Sequence, residues 1–256
     1  MSNFEIIDCH IHPAIDKKTD FRWYHKSGGV KKQFDDLKRA GITKACGSLV
    51  VRNPASFKEI KQLNDAALSI RDRYPGFYIP GIQIHPNFPD ESCREIERCC
   101  IGHGVRWIGE LVGYLMGFTD DYASKNMFQI LKIVPKFKAV VNFHCADLNV
   151  VERVCKRFPE INFVLAHPWE GEVFLSRIKT VAKFDNLYLD CSGTGIDRYG
   201  MLRKAVEIAG RKKLLFGSDY PINNPAVYVH GALFEKLSER FYRDFFSGNF
   251  KKLLGT

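Results

Sequence analysis

Short runs rich in β-branched and aromatic residues alternate with longer amphipathic segments along the whole chain. This alternation is typical of repeated strand and helix units, which build a parallel sheet covered by helices. We predict eight strands: Phe4 to Cys9, Lys44 to Val50, Phe77 to Ile84, Val105 to Leu111, Ala139 to Phe143, Asn162 to Ala166, Leu187 to Asp190 and Lys213 to Phe216. The pattern therefore places the chain in the α/β class.

The segments between the predicted strands carry helical patterns of apolar residues. They are Val30 to Ala40, Phe57 to Arg73, Glu91 to Cys100, Lys125 to Pro135, Leu148 to Arg157, Gly171 to Ala182 and Tyr199 to Ala209. Gly41 directly follows the first helix, and Ser124 and Asp147 stand where N-caps are expected. Eight such units in 256 residues predict a single (β/α)8 TIM-like barrel domain over residues 1–256. A doubly wound open sheet has the same local pattern and remains the alternative.

The bulk composition argues against membrane and secreted classes. No segment approaches the roughly 18 consecutive apolar residues of a membrane span, and the N-terminus lacks the features of a signal peptide. The eight cysteines are scattered and form no CxxC pair, so we predict reduced thiols. These features predict a soluble, cytoplasmic protein.

The net charge of +9 fits a nucleic-acid partner, an anionic substrate or a basic solvated surface. The basic residues are spread over the chain, for example at Lys31-Lys32 and Lys251-Lys252, and form no aromatic-interleaved stripe. A nucleic-acid partner is therefore disfavoured. We expect a small, anionic substrate, and the sequence leaves open whether the protein forms a homo-oligomer.

Residues with acid, imidazole, guanidinium or amide side chains stand at the ends of nearly all predicted strands. In a barrel these carboxyl ends converge on one mouth, where active sites lie. The residues are His10, His12, Arg52, Asn53, His85, Glu110, His144, His167 and Asp219. The three other histidines, His25, His103 and His230, lie away from strand ends, and we predict solvated or structural roles for them.

His10 and His12 are the first of these residues and suggest a metal site. They are two residues apart on an extended chain, so both side chains point to the same side of the strand. Neutral imidazole suits zinc, iron, nickel or cobalt, and added carboxylates keep a site open to several divalent ions. An HxH pair alone is weak evidence, but ligand-type residues on four other strand ends strengthen it.

Several motifs, in order along the chain, resemble the amidohydrolase superfamily. Ile-Asp-Cys-His-Ile-His-Pro is similar to its first-strand HxH motif, and Asn-Phe-His-Cys, Leu-Ala-His-Pro and Phe-Gly-Ser-Asp-Tyr-Pro resemble its motifs on strands five, six and eight. The closing Gly-Asn-Phe-Lys-Lys-Leu-Leu resembles its terminal helix. The last strand motif and the short length are similar to the group of aminocarboxymuconate-semialdehyde decarboxylase and small lactonases. Ile-His-Pro and Ile-Gly-Glu-Leu resemble TatD-type metal hydrolases.

This resemblance implies a set of roles. It predicts His10, His12, His144 and Asp219 as ligands of a divalent metal, first zinc, with manganese, iron, cobalt or nickel as alternatives. Glu110 and His167 would bind a second ion or act next to the first, so one or two ions are expected. As catalytic residues, Asp219 would move a proton of the metal-activated water, and His167 would polarise the substrate carbonyl.

Three further residues are candidates for substrate binding. Arg52 and His85, at neighbouring strand ends, are predicted to recognise a substrate carboxylate. Each has a structural alternative, since Arg52 could anchor a loop and His85, before Pro86, could hydrogen-bond one. Trp169 is expected to line the pocket, although an aromatic residue there could equally serve packing.

The resulting functional prediction is a metal-dependent hydrolase that uses activated water to attack an amide, ester or lactone of a small carboxylate. Three alternatives remain. One is a metal-dependent decarboxylase, a lyase of the same group, and another is a TatD-type deoxyribonuclease, favoured by Glu110 and the positive charge. The third is a barrel that binds a small molecule without catalysis.

Overall fold

The computed structural model describes residues 4–24, 28–119 and 121–255. Eight parallel strands follow one another around the sheet in chain order, from β1 to β8. They are β1 Ile7–Ile11, β2 Lys44–Gly47, β3 Tyr78–Ile82, β4 Trp107–Val112, β5 Val140–His144, β6 Phe163–Ala166, β7 Leu187–Asp190 and β8 Leu214–Leu215. A doubly wound sheet would reverse its strand order near the middle. The predicted TIM barrel is therefore confirmed.

Main-chain hydrogen bonds bring β1 against the segment that begins at β8. The Cys9 amide donates to the Phe216 carbonyl at 2.9 Å, and the His12 amide donates to the Tyr220 carbonyl at 2.7 Å. The Asp219 amide in turn donates to the His10 carbonyl at 2.9 Å. The seam between the first and last strands thus places the HxH motif beside Asp219.

Helices connect the strands and cover the outside of the barrel. They are α1 Val30–Arg39, α2 Phe57–Arg73, α3 Pro89–His103, α4 Gly113–Met116, α5 Lys125–Leu131, α6 Leu148–Arg157, α7 Gly171–Lys183, α8 Met201–Ala209, α9 Pro225–Phe234, α10 Glu239–Arg243 and α11 Asn249–Leu254. A π-helical turn at Asp244–Gly248 joins the last two, and 3-10 turns lie at Asp121–Ala123, Val134–Phe137 and Arg211–Lys213. Ser124 and Asp147 cap α5 and α6 as predicted.

Several predicted helices differ from the structure by one or more residues at an end, and for two of them proline gives the reason. The helix predicted from Lys125 to Pro135 ends at Leu131, because Pro135 lacks the amide proton that would bond to the Leu131 carbonyl. Helix α3 begins two residues earlier than predicted, with Pro89 in the first turn, where a missing amide proton has no cost.

Buried apolar residues form two layers on either side of the sheet. The larger one lies between the strands and the surrounding helices. The smaller cluster includes Ile7, Trp107 and Val140, which begin their strands or lie near the start, and Phe250 of α11 packs on Trp107 with ring centroids 5.4 Å apart. Helix α11 therefore packs at the amino ends of the strands, opposite the mouth where the polar residues converge.

Two further observations bear on the sequence predictions. Within the described ranges, no helix has both the length and the apolar character needed to cross a bilayer. All eight cysteines are free thiols, and seven of them are buried.

Candidate metal centre

The first group of candidate ligands comes from β1, β4 and the segment after β8. The Nε2 atoms of His10 and His12 lie 3.1 Å apart, and they lie 3.1 and 3.2 Å from Oε2 of Glu110. Oδ1 of Asp219 is 3.6 Å from each of the same two nitrogens. The structure therefore brings His10, His12 and Glu110 together as one ligand group, with Asp219 next to both histidines.

The hydrogen bonds on the far side of each ring show which nitrogen is available. Nδ1 of His10 contacts the Asp190 carboxylate, and Nδ1 of His12 lies 3.1 Å from the Ser48 carbonyl oxygen. Both partners are acceptors, so each Nδ1 carries the proton and each Nε2 directs a lone pair toward Glu110. Converging lone pairs and carboxylate oxygens repel one another unless a cation lies between them.

The spacing of these atoms fits a divalent cation. Four ligands at about 2.1 Å from a tetrahedrally bound zinc ion lie about 3.4 Å from one another. The two Nε2 atoms lie 3.1 Å from each other, 3.1 and 3.2 Å from Oε2 of Glu110, and 3.6 Å from Oδ1 of Asp219. The donor set combines imidazole nitrogens with carboxylate oxygens, which suits zinc and also manganese.

A second group of ligand atoms surrounds the other oxygen of Glu110. Oε1 lies 3.3 Å from Nδ1 of His144 and 3.3 Å from Nε2 of His167. This oxygen is buried and makes no hydrogen bond with the described residues. Nδ1 of His167 lies 3.1 Å from the Ser192 carbonyl oxygen, so its Nε2 also presents a lone pair. Glu110 thus lies between two groups, each of which could hold a cation.

The site has a strongly negative potential at its centre. Burial opposes protonation of His10, but the carboxylates of Asp190 and Glu110 outweigh it and raise the pKa of His10 well above its usual value. Burial alone would raise the pKa of Glu110, yet His10, His12 and His144 lower it far below the usual range. Burial raises the pKa of Asp219 despite the nearby histidines. A divalent cation bound among these side chains would neutralise their negative charge, which otherwise favours protonation of His10.

Two of the candidate ligands lie on left-handed backbone. The φ angles are 66° at His167 and 60° at Asp219, a conformation that costs a residue other than glycine about 1–3 kcal/mol. Such a conformation persists only where its surroundings hold it. The Asp219 amide is held by the His10 carbonyl, and the His167 carbonyl accepts a hydrogen bond at 2.9 Å from Nε of Arg177.

Arg177 ties together the ends of β5 and β6. Its fully buried guanidinium donates to the carbonyls of Cys145, at 2.9 Å, and of Ala166 and His167. Its plane also lies 4.2 Å from the Trp169 ring. The two strand ends that carry His144 and His167 are therefore fixed by one side chain from α7.

Two glycines are required by close packing at the site. Gly109 precedes Glu110 with φ of 99°, and a Cβ atom there would lie 2.1 Å from the Asn142 carbonyl oxygen. Gly193 has φ of 66°, and its Cβ would lie 2.3 Å from Nδ1 of His167. Both positions leave no room for a side chain, so they set how closely the ligands approach.

Sequence reasoning did not identify several residues that orient the ligands. Asp190 contacts His10, the carbonyl of Ser48 accepts from His12, and Ser192 contacts both His10 and His167 through its hydroxyl. Gln83 donates from Nε2 to the Ser48 hydroxyl and to the Glu110 carbonyl, both at 2.7 Å. Asp190 is the one of these with a sequence signal, since it ends the seventh predicted strand.

A cavity of about 770 Å³ opens above the ligands. His12, Glu110, His144, His167 and Asp219 face it from the barrel. Its outer wall contains four basic and two acidic residues together with aromatic and polar ones, namely Lys17, Lys18, Asp20, Phe21, Arg22, Trp23, Arg52, Asn53, Glu59 and Tyr114. We call this space the metal cavity.

The predicted substrate-binding residues lie in different places. Arg52 lines the metal cavity, with its guanidinium 5.4 Å from the Phe21 ring centre. His85 is not among the described residues that line it, because Nε2 donates to the Met116 carbonyl at 2.9 Å and Nδ1 accepts from the Asn87 amide. The structure thus does not bring His85 to the cavity.

Trp169 and the three remaining histidines lie outside the lining of the metal cavity or outside the described residues. The Trp169 ring is half-buried, with its centroid 6.0 Å from the His144 ring, beside the second ligand group. It does not belong to the described lining of the metal cavity. His103 and His230 are exposed, in agreement with the roles predicted for them, whereas His25 lies outside the described residues.

Comparisons with known proteins show the family of the chain and agree with the barrel fold. The sequence profile of the amidohydrolase family matches residues 7–256. No curated protein sequence matches the chain. Among solved structures, 5-carboxyvanillate decarboxylase from Novosphingobium aromaticivorans, with manganese and 4-hydroxy-3-methoxy-5-nitrobenzoic acid, is 14% identical, with a TM-score of 0.78 over 99% of this chain and 97% of that chain.

Two further solved structures are similar. 2,6-Dihydroxybenzoate decarboxylase from Rhizobium is 13% identical, with a TM-score of 0.80 over 98% of this chain and 99% of that chain. A dihydroxybenzoic acid decarboxylase from Polaromonas, with manganese and the inhibitor 2-nitroresorcinol, is 13% identical, with a TM-score of 0.75 over 98% and 97% of the two chains. At these identities the likeness concerns the fold.

Proposed function

The chain belongs to the amidohydrolase family, and from that premise we propose that it is a metal-dependent decarboxylase of a small aromatic carboxylate. The observation that carries the proposal is the ring of imidazole and carboxylate ligands facing a cavity with cationic and aromatic walls. The three solved structures named above are decarboxylases of hydroxylated benzoates, and two of them contain manganese. The hydrolase that the sequence favoured becomes the second candidate.

The metal would be held first by His10, His12 and Glu110, and also by Asp219 while its carboxyl group is ionised. Zinc and manganese both suit this donor set, and His144 and His167 would hold a second ion with Glu110. When bound, a divalent cation supplies positive charge that attracts the anionic substrate and stabilises negative charge formed in the reaction. We propose that Arg52, a fork-shaped cation in the cavity wall, orients a carboxylate or hydroxyl group of the substrate.

Decarboxylation requires a proton for the carbon atom that loses the carboxyl group. The bond between ring carbon and carboxyl carbon breaks, its electron pair stays on the ring carbon, and carbon dioxide leaves. Asp219 lines the cavity, its Oδ1 lies 3.6 Å from the Nε2 atoms of His10 and His12, and its Oδ2 accepts a hydrogen bond from Nδ2 of Asn223 at 3.2 Å. We propose that protonated Asp219 gives its proton to the ring carbon and regains one from solvent.

Hydrolysis is the second candidate because of Glu110. Its two oxygens lie 3.1 to 3.3 Å from ligand nitrogens of two separate groups, which favours two ions sharing one carboxylate. Sites with two ions commonly serve hydrolysis, since they lower the pKa of water and clamp an attacked carbonyl. In that reaction Asp219 would accept a proton from water, and His167 would polarise the carbonyl oxygen through its own hydrogen bond only where a single ion is bound and its Nε2 is protonated.

One experiment separates the two reactions. The protein loaded with zinc or manganese is incubated in H₂¹⁸O with a panel of hydroxybenzoates and a panel of aromatic lactones and esters. We expect carbon dioxide and a product with hydrogen at the former carboxyl position, without ¹⁸O in the ring product. Incorporation of one ¹⁸O per turnover into a lactone or ester product, with no carbon dioxide, would favour hydrolysis and contradict the proposal.

A further inference from the structure

A second cavity adjoins the metal cavity at the barrel mouth. It has a volume of about 520 Å³ and shares the side chains of Arg22, Trp23 and Ile222 with the metal cavity. The rest of its wall comes from Tyr24, Asp36, Arg39, Ala40 and residues 220–226. We call it the outer cavity, and the three shared residues form the ridge between the two spaces.

One strongly exposed aromatic ring lies on the ridge and a second lies next to it in the outer cavity. Trp23 is 76% exposed and Tyr24 is 96% exposed, and their ring centroids lie 6.4 Å apart at an angle of 75°. Large aromatic surfaces left open to water beside a cleft mark binding sites, because covering them is favourable. The rings therefore provide a surface on which a planar group can stack.

The positively charged side chains of the outer cavity are hydrogen-bonded to carboxylates. Nε of Arg22 donates to Asp20 at 2.7 Å, and Nη2 of Arg39 donates to Asp36 at 2.8 Å. The Tyr220 hydroxyl also donates to Asp36, at 3.2 Å. Since each guanidinium already faces a carboxylate, the cavity favours an uncharged ligand over an anionic one.

The outer cavity is also connected to the reacting side of the site. Asn223 lines it and donates from Nδ2 to Oδ2 of Asp219 at 3.2 Å. Ile222, on the ridge, donates its amide to the Asp219 carbonyl at 2.9 Å. A ligand that spans the ridge would therefore contact the segment that positions Asp219.

We propose that the substrate has two parts: an aromatic carboxylate in the metal cavity and a second, uncharged planar group in the outer cavity. The second group stacks on Trp23 and hydrogen-bonds along its edge to the amides of Asn223 and Asn224. This inference rests on the proposed function for the carboxylate end only. Among the small aromatic carboxylates of the proposed function, it selects those that carry a second ring or a planar amide group.

Binding of three probes to the metal-loaded protein tests the inference by calorimetry. The probes are benzoate, biphenyl-3-carboxylate and biphenyl-4-carboxylate, and the better biphenyl isomer is compared with benzoate. Stacking of one ring on an indole predicts at least about tenfold tighter binding of the biphenyl, with one site per chain. Benzoate must displace the biphenyl, since both use the metal cavity.

Variants locate the second ring. Trp23→Ala should abolish most of the preference for the biphenyl; the ratio of the two dissociation constants is compared, because Trp23 also borders the metal cavity. Tyr199→Ala is the matched control, because Tyr199 is 80% exposed but lines neither cavity, and it should change neither affinity. The high exposure of Trp23 makes unfolding of Trp23→Ala unexpected, and its melting temperature is measured alongside.

The inference is overturned if neither biphenyl binds more tightly than benzoate, if the preference survives Trp23→Ala, or if benzoate does not displace the biphenyl. Carbon dioxide release is measured separately on each compound. A preference that depends on Trp23 without any turnover would contradict the proposed reaction and still support the outer cavity. Turnover of benzoates without tighter binding of the biphenyl would support the proposed reaction and contradict the inference about the outer cavity.

Discussion

Replacing Asp190 by asparagine is expected to weaken metal binding about tenfold while leaving the fold intact. Asp190 is fully buried and its Oδ2 contacts Nδ1 of His10, whose Nε2 faces the metal position. A carboxylate in this position fixes the ring and makes the opposite nitrogen a stronger ligand. Asparagine keeps the shape and one acceptor but removes the charge.

The magnitude follows from the kind of hydrogen bond that is lost. A hydrogen bond to a charged group contributes roughly 1.5–3 kcal/mol and a neutral one roughly 0.5–1.5 kcal/mol. The difference of about 1–2 kcal/mol corresponds to about 5- to 30-fold in the dissociation constant. Changes in partners of metal-bound histidines typically cost about 10- to 100-fold, which overlaps this range.

The assay is a titration of the metal-free protein with zinc in competition with a chelator of known affinity. Asp185→Asn provides the same substitution at an exposed position just before β7, and it should bind zinc as the wild type does. Circular dichroism and the melting temperature of the metal-free proteins show whether Asp190→Asn is folded. A folded Asp190→Asn variant with zinc affinity within about twofold of the wild type would refute the reasoning.

Three other substitutions probe separate parts of the account. Arg177→Met removes a buried cation from three carbonyls and should lower the free energy of unfolding, measured by urea titration, by about 3–5 kcal/mol. A loss below about 1 kcal/mol would contradict the role of Arg177 in joining β5 and β6. Gly109→Ala should yield insoluble or metal-poor protein, because the new Cβ atom would clash with the Asn142 carbonyl. The control Gly102→Ala has open space around its Cβ atom, and its melting temperature should be at least that of the wild type. Arg52→Met should raise KM for a carboxylate substrate by about 10- to 100-fold with a smaller change in kcat, and unchanged steady-state kinetics would remove Arg52 from substrate binding.

The sequence was sufficient to predict the barrel and the histidines and carboxylates at its mouth. Strand periodicity predicted eight strands, and the ends of parallel strands in a barrel necessarily converge, so residues such as Glu110 and His144 could be grouped without coordinates. His85 shows the limit of this reasoning. It also follows a strand, but its ring is turned to the Met116 carbonyl, a contact that depends on how α4 folds.

The residues that orient the ligands could not be predicted from the sequence, because their roles also depend on how helices and loops pack. Arg177 lies in the middle of a helix, where an arginine usually faces solvent, and only the packing of α7 on the strand ends buries it. Gln83 and Ser192 act through side-chain hydrogen bonds to partners that are distant along the chain, and the spacing of residues in the sequence does not reveal them. The sequence therefore indicates which side chains can bind a metal, while the structure is needed for those that hold them in place.

The central claim is that His10 and His12 hold a catalytic divalent metal at the barrel mouth. Elemental analysis of the purified protein tests it most directly, with His10→Ala/His12→Ala compared against His103→Ala/His230→Ala, a pair of exposed histidines. The account predicts about one to two divalent ions per chain in the wild type and the control, and loss of most of them in the first variant. Equal metal content in all three proteins would contradict it.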